Sequence, residues 1–392
     1  MVLEETRKVI ENSIRKLGRW VEDHQYKGYE PFDGLSSPLR RLTLGNPLLS
    51  RVLMQLVRQS PVNLRPLLAI GPKESTKGRG YMASGYFSRW QTTGDLGYRD
   101  KAVACLAWLM ENKSPRFREY SWGNHFDFVG RGGFYGKDDS IIVWTALIGH
   151  AFWDGFLLLS DTRYRDVVDS ACRWILGIPR KHTSEGTCIG YRYGATENSY
   201  IHNSNMLGAS LLARAGRYLK KDEYLEVASE AMKYSCSLQR PDGSWHYGED
   251  PMYHWIDSFH TGYNLDSLKC YIENTGDGTC REGLLRGLEF YKRHFFEQDG
   301  CPRYYHNRTY PIDSQCAAQA IETLANFSDQ DDECRVLAVR VALWTIDNMQ
   351  DEAGYFYYRK YPLIKVKTPM LHWAQATTYR GLSLLLLRLK NR

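Results

Sequence analysis

YHWIDSFHTGYNLDSLKCYIENTGD, residues 253–277, is the stretch whose reading decides the fold. Placed on a helix, Asp257, His260, Thr261 and Asn264 fall at i, i+3, i+4 and i+7 and form one polar stripe, while Ile256, Phe259, Tyr263 and Leu268 occupy other faces. A helix with that much apolar surface is buried on most sides. Burying a carboxylate, an imidazole and an amide without partners costs on the order of several kcal/mol, so the stripe has to face a wet cavity or a dense hydrogen-bond network. The same arrangement recurs along the chain: a Gly- and aromatic-rich loop, then a helix with polar groups near its start. The recurrence points to a shared lumen.

Five turns of one kind punctuate the sequence: Thr93-Gly94-Asp95, Ser160-Asp161, Lys221-Asp222, Thr275-Gly276-Asp277 and Ser328-Asp329, spaced 66, 61, 55 and 52 residues from Asp to Asp. Each follows a long apolar helical run and precedes a helix start with capping chemistry. Between the hairpins so defined lie longer segments rich in Gly, Trp, Tyr and His, such as SWGNHFDFVGRGGFYGKDD, GTCIGYRYGATENSY and QRPDGSWHYGEDPMYHW. Short turns therefore collect at one end of a bundle and aromatic loops at the other. Six inner helices are predicted near 76–92, 140–159, 199–219, 254–274, 312–327 and 371–389, with outer partners near 98–111, 163–176, 222–238, 279–296 and 332–349. The helix from about Glu4 to Asp23 supplies the sixth outer partner. Twelve helices in six hairpins make an all-α fold, an (α/α)6 toroid, with residues 1–392 as a single domain. Residues 37–72 lie outside the period and form an inserted amphipathic helix, about Leu48 to Arg58, with a proline-punctuated connector. Its expected place is the short-turn face or the outer ring, serving its own core; a basic, Leu-rich helix of this kind also suits a membrane surface or a protein partner.

Composition narrows the function. The chain has 392 residues, 43% of them hydrophobic, and a formal charge of +6, with a pI near 8.7. Length alone is a soft prior for two or three domains, which the period overrules. No Lys/Arg run exceeds two residues, which argues against a nucleic-acid partner. Nine cysteines sit singly, without a C-x-x-C pair or zinc spacing, and fit a reducing, cytoplasmic setting, free or peripheral to a membrane. The N-terminus lacks the apolar core of a signal peptide, and no stretch approaches the roughly 20 apolar residues needed to span a bilayer. The sequons at Asn307 and Asn326 are therefore read as accidental. The 27 Tyr and 11 Trp offer flat faces with polar tips, suited to sugar rings as well as to cores. No cofactor or metal is called for: His125 and Asp127 have no distinctive ligand spacing, and phosphate-loop, nucleophile-elbow and HExxH motifs are absent.

Helix N-termini on the aromatic rim carry unpaired N–H groups and partial positive charge, which favour carboxylates. The catalytic candidates there are Asp257, His260, His202 and Tyr263. Substrate-binding candidates are His125, Asp127 and Arg131 beside Trp122 in the first long loop, and Asn203 and Asn205 on the third inner helix. Trp245, Tyr247, Trp255 and Asn264 belong to the fourth unit, and Tyr304, Asp313, Gln315, His372 and Gln375 to the last two. Each also has a plainer reading as part of a rigidifying network or a packed core. Glu249 and Asp250 are further carboxylates, more in keeping with a solvated loop. Asp329-Gln330-Asp331-Asp332 and QRPDGSW (239–245) superficially match motifs of class II terpene cyclases, but the first lies in a short turn on the face away from the pocket.

SPVNLRPLLAI (60–70), SWGNHFDF (121–128), HNSNMLGASLLAR (202–214), QRPDGSWHYG (239–248), WIDSFHTGYNL (255–265), YPID (310–313) and GYFYYRK (354–360) together resemble a family of α/α-toroid proteins associated with polysaccharide biosynthesis. More distantly, residues 258–277 look like an inner hairpin of glucuronyl C5-epimerases, and the aromatic loops look like those of toroid uronate lyases and unsaturated-uronide hydrolases. The resemblance implies an enzyme acting on an acidic oligo- or polysaccharide, lipid-linked or free, by uronate C5 epimerisation or β-elimination. In that reading Asn203, Asn205 or Arg131 binds the carboxylate, His260 or His202 is the base, and Tyr263, Tyr247 or Tyr304 returns the proton. Two alternatives stand beside it. One is a glycoside hydrolase pairing Asp257 with Glu249, Asp127 or Asp313, which for inversion needs carboxyls roughly 6.5–9.5 Å apart. The other is a non-catalytic glycan-binding or assembly protein that docks through residues 48–58.

Overall fold

The computed structural model describes residues 2–193 and 200–390; residues 194–199, within the GTCIGYRYGATENSY segment, lie outside the described residues. The inner helices are α3 (Thr76–Thr93), α5 (Ile142–Leu159), α7 (His202–Leu219), α9 (Ser258–Thr275), α11 (Ser314–Phe327) and α13 (Thr377–Lys390). Each packs on the next, and α13 packs back on α3, so the ring closes. The outer helices are α4 (Leu96–Glu111), α6 (Thr162–Leu176), α8 (Asp222–Ser237), α10 (Arg281–His294) and α12 (Asp332–Met349). Helix α1 (Val2–Asp23) packs on α12 and α13 and completes the outer layer. This is the (α/α)6 toroid that the turn period predicts.

The short turns work as their residues dictate. Gly94 (φ 76°) and Gly276 (φ 75°) end α3 and α9 in the left-handed region, where a side chain would be strained. Asp95 and Asp161 then cap α4 and α6 by accepting from Gly97 N and Arg163 N. Three turns differ in detail from the expectation: α8 follows Lys221 with no side-chain cap, Asp222 being its first residue. α12 is capped by Asp331 rather than Asp329, and Asp277 folds onto Thr279, which delays α10 to Arg281. Helix α5 is long and apolar enough to cross a bilayer by length and composition, yet it is an inner helix mostly buried in the ring.

Below the mouth the lumen is filled by paired polar groups. Arg380 on α13 pairs with Glu322 on α11 (2.6 Å) and Arg214 on α7 with Asp154 on α5 (2.6 Å). Asp266 on α9 accepts from Gln319, Thr323 and Asn326 at 2.8–3.0 Å. Burial, with Glu322 nearby, pushes the Asp266 carboxyl up to about 7.

The inserted segment does not lie where the sequence suggests. Helix α2 (Pro47–Gln59) packs on the aromatic-loop face against β1 (Phe128–Gly130), with Leu35, Met54 and Val129 as a small separate core. What fixes it there is chemistry spread across the chain: Arg65 donates to both oxygens of Asp33 (2.8 and 3.0 Å) and to Glu30 O, and Arg58 Nε donates to the Tyr358 hydroxyl.

Two further departures concern helix starts. Helix α9 begins at Ser258, with Asp257 as an extended N-cap (φ −125°, ψ 161°) rather than the first residue of a helical stripe. The last inner helix opens with a π-helical turn, Leu371–Ala376. Asp313, the N-cap of α11, ties that turn to the ring: it accepts from Gln315 N, from Trp373 Nε1 (2.7 Å) and from Arg359 Nε (2.6 Å), and both partners of the ion pair are buried. Asp313→Ala removes the cap and strands a buried guanidinium, so it should lower stability by about 3–5 kcal/mol, read from urea unfolding midpoints.

Candidate active site

All six inner helices start at the mouth, and the first turns of four of them deliver side chains to one cavity of about 940 Å³. Lys77 is the second residue of α3, Trp144 the third of α5, Asn203 the second of α7 and His260 the third of α9, and all four line the cavity. Helices α3 and α9 stand opposite one another in the ring. Tyr81 and Tyr263 reach across and join hydroxyls at 2.6 Å, and Gln315 Nε2 donates to the Tyr263 oxygen at 3.0 Å. This bridge is the floor. Lys77 Nζ lies above it, 3.5 Å from the Tyr263 oxygen and 4.9 Å from the Trp144 ring centroid. Burial pulls the Lys77 ammonium down to about 7 against the opposing charges of Glu30 and Glu322. Burial also holds the Tyr263 phenol well above its ordinary value.

Asp257 organises one wall. Its Oδ1 accepts from His260 N as the helix cap, while Oδ2 accepts from Trp255 Nε1 (2.8 Å) and from His260 Nδ1 (2.7 Å). Donation from Nδ1 fixes the imidazole and leaves Nε2 as the ring nitrogen able to take a proton. Trp255 stacks on Tyr247 (4.5 Å, 16°), Arg131 lies over the same indole (4.6 Å), and Tyr247 meets His260 (4.5 Å). Opposite, Asp313 holds Trp373, which packs edge-on to Phe259. The result is an aromatic cleft of the kind that stacks against sugar rings.

Charge on the cavity wall has one sign among the described residues. Among the described residues its wall includes Arg51, Arg58, Lys77, Arg131 and Arg308, and no Asp or Glu. Trp144 Nε1, a donor, and Asn203 Oδ1, an acceptor, are buried there without a partner among the described residues.

The sequence candidates divide accordingly. His260, Tyr263, Arg131, Asn203, Tyr247, Trp255 and Tyr304 line the cavity. Asp257, Asp313 and Gln315 stand directly behind, each bonded to a lining residue. The others lie off the cavity wall, most of them held by structural partners. His202 is buried with Nδ1 on Ser235 and Nε2 on Glu249. Asn205 bonds Ile189 N, Ala231 O and Ser235, and Gln375 pairs with both backbone groups of Phe356. Trp245 donates to Ser235 O beneath Gly287, and His372 pairs with buried Glu30. Asn264 is buried in α9. Asp127 pairs with Arg40, and burial lowers the His125 imidazole to about 4; neither lines the cavity.

Sequence reading misses Lys77, Trp144, Trp373, Arg308 and the α2 trio Arg51, Gln55 and Arg58. For Lys77 and Trp144 the signal was present, since both occupy the first turn of an inner helix as His260 does. Nothing local in the 37–72 segment shows that α2 lies across the mouth.

No family model and no curated protein matches the chain. Solved structures share its fold. An unsaturated glucuronyl hydrolase specific for heparin superposes with a TM-score of 0.63 at 12% identity, over 97% of this chain and 96% of that one. The cellobiose 2-epimerase of Spirochaeta thermophila gives 0.62 at 11% identity over 82% and 88%, and the GH76 α-mannanase of Bacteroides thetaiotaomicron gives 0.61 at 11% over 80% and 86%. These are carbohydrate-processing enzymes, and at such identities the likeness is one of architecture.

The lowered Lys77 value makes stability pH-dependent in a stated direction. An unfolded lysine keeps its proton to about 10.4, so between about pH 7 and 10 the unfolded state binds more protons and stability rises with pH. Lys77→Met should therefore stabilise the protein most at and below about pH 7, with the advantage shrinking toward pH 10. Urea midpoints of both proteins across that range measure it.

Proposed function

We propose that the protein is a carbohydrate-processing enzyme that acts at C5 of a uronate residue in an acidic saccharide, by epimerisation or by the related β-elimination. The observation that carries this reading is the pairing of an aromatic cleft, whose charged wall residues among those described are all cationic, with a histidine held through Nδ1 by a buried aspartate. A polysaccharide-biosynthesis role is part of the same proposal.

Side chains of the cleft support each step of this chemistry. The substrate carboxylate lies against Lys77, whose charge, with the Trp144 N–H, stabilises the electron density that the carboxylate takes up as the C5–H bond breaks. His260 Nε2 receives that proton, and Asp257 stabilises the imidazolium through the Nδ1–H bond. Return of a proton to the other ring face, from the Tyr263 hydroxyl, inverts C5. Expulsion of the C4 oxygen from the same carbanion gives the unsaturated product instead. Trp255, Tyr247 and Trp373 stack on the sugar rings. A paired-carboxylate hydrolysis is less well served: Asp257 is spent on the cap, the indole and the imidazole, Glu249 is bound to His202, and Asp313 is bound to Arg359.

Uronate-containing oligosaccharides incubated with the protein in deuterated water should gain deuterium at C5, and His260→Ala should slow that exchange on the order of 10²–10⁴-fold. Failure to exchange on any uronate glycan would sink the proposal. Binding itself should also leave a mark. A carboxylate beside Lys77 raises its proton affinity, so calorimetric titration at about pH 8 in buffers of different ionisation enthalpy should show proton uptake, lost in Lys77→Met.

A further inference from the structure

The helix that walls the cavity carries a second face that nothing among the described residues covers. Met54, Val57 and Ser50 point into the fold, Arg51, Gln55 and Arg58 line the cavity, and Leu48, Val52 and Leu56, at i, i+4 and i+8, point outward. The flanking chain continues the outward face. Leu42, Leu44, Leu48, Leu56, Val62 and Leu67 are 63–90% exposed, all within one 26-residue window. Elsewhere among the described residues only Leu285 and Leu363 reach 60% among the large hydrophobics. Leu363 lies at the tip of the hairpin formed by Arg359–Lys360 and Lys365–Val366, next to Tyr358, which receives the Arg58 hydrogen bond. Apolar side chains so concentrated mark an interaction site.

Charge identifies what the face meets. Residues 34–73 contain six Lys/Arg and no Asp or Glu, so the remainder of the chain holds 45 of each sign and the whole formal charge of +6 resides in this segment. Arg65 and Arg40 are tied to Asp33 and Asp127, and Arg58 is inside the cavity; Arg41 and Arg51 are exposed beside the leucines, and Lys73 is exposed at the end of the segment. Leucines flanked by cations, with acids excluded, complement a surface that is apolar beneath and negative at its rim.

We propose that this face docks the protein on an anionic lipid membrane. Arg51 and Gln55 border both the outward apolar groove and the cavity, so docking sets the cavity mouth against the bilayer. Resting on the saccharide reading above, the inference narrows the substrate to a glycan presented at the membrane on a lipid anchor.

The test is co-sedimentation of the full-length protein with phosphatidylcholine vesicles and with vesicles that also contain phosphatidylglycerol. The wild type should pellet with the anionic vesicles, less so as salt rises, and Leu48→Glu/Leu56→Glu should lower the bound fraction by about tenfold or more. Circular dichroism melts of the variant should match the wild type; if the variant is unfolded, Arg41→Glu/Lys73→Glu, which touches no core residue, should cause the same loss. Equal pelleting of wild type and variants, equal binding to neutral vesicles, or no pelleting at all would overturn the proposal. So would a concentration-dependent dimer, by light scattering, that Leu48→Glu/Leu56→Glu dissolves without any vesicle binding. C5 exchange on soluble uronate fragments should be the same in wild type and variant. Its loss in both leaves the membrane result standing and condemns only the chemistry.

Discussion

Six parallel helices in a ring enclose a hole that has to be filled, and the way this chain fills it sets everything above. Tyr81 lies between two cations, Lys77 on the mouth side (5.4 Å to its ring) and Arg380 on the turn side (5.2 Å), and its hydroxyl meets that of Tyr263 across the ring. Beneath, the charges are spent on one another: Arg380 with Glu322, Arg214 with Asp154, Asp266 with three side-chain donors. A buried charge lacking its partner costs several kcal/mol, so this lower plug has one arrangement and little freedom. Above the bridge the polar groups are not so consumed, and the cavity begins there.

The acids around the mouth serve as supports rather than as wall. Asp257 and Asp313 occupy equivalent places, each an extended residue capping an inner helix, and each also accepts from an indole N–H that belongs to the cleft. One adds the imidazole of His260, the other the guanidinium of Arg359. Capping and aiming are thus done by the same carboxylate, which ties the rigidity of the helix start to the position of the side chains a ligand meets. With the acids turned inward, the surface left facing the cavity is cationic, and the helix N-termini add to that sign.

How far the site was legible in the sequence depends on which side of a first turn each residue falls. Polar residues at the starts of inner helices are visible as a recurring pattern, and it picks out His260 and Asn203. Yet neighbours on the same turn point elsewhere: Asn205, two positions from Asn203, faces the β3–β4 hairpin (Arg180–Thr183 and Gly186–Ile189) and α8, where it satisfies Ile189 N and Ala231 O. His202 faces Ser235 and Glu249. A rotation of one residue, about a hundred degrees, separates a wall from a strut, and the periodicity of polar residues does not carry that phase when both sides are buried.

By itself the sequence determined the ring. Turn chemistry at Gly94, Asp95, Asp161 and Gly276 is local, its spacing is regular, and six helical hairpins of that period bury their apolar faces only by closing on one another. The tertiary structure alone decided two things. It put α2 across the mouth rather than under the ring, through contacts such as Arg65 with Asp33 and Arg58 with Tyr358, which join residues 32 and 300 positions apart. It also brought Lys77 of α3 opposite His260 of α9, because residues on facing helices meet only when the ring has a definite diameter, and that diameter is fixed by side-chain packing rather than by any pattern along the chain.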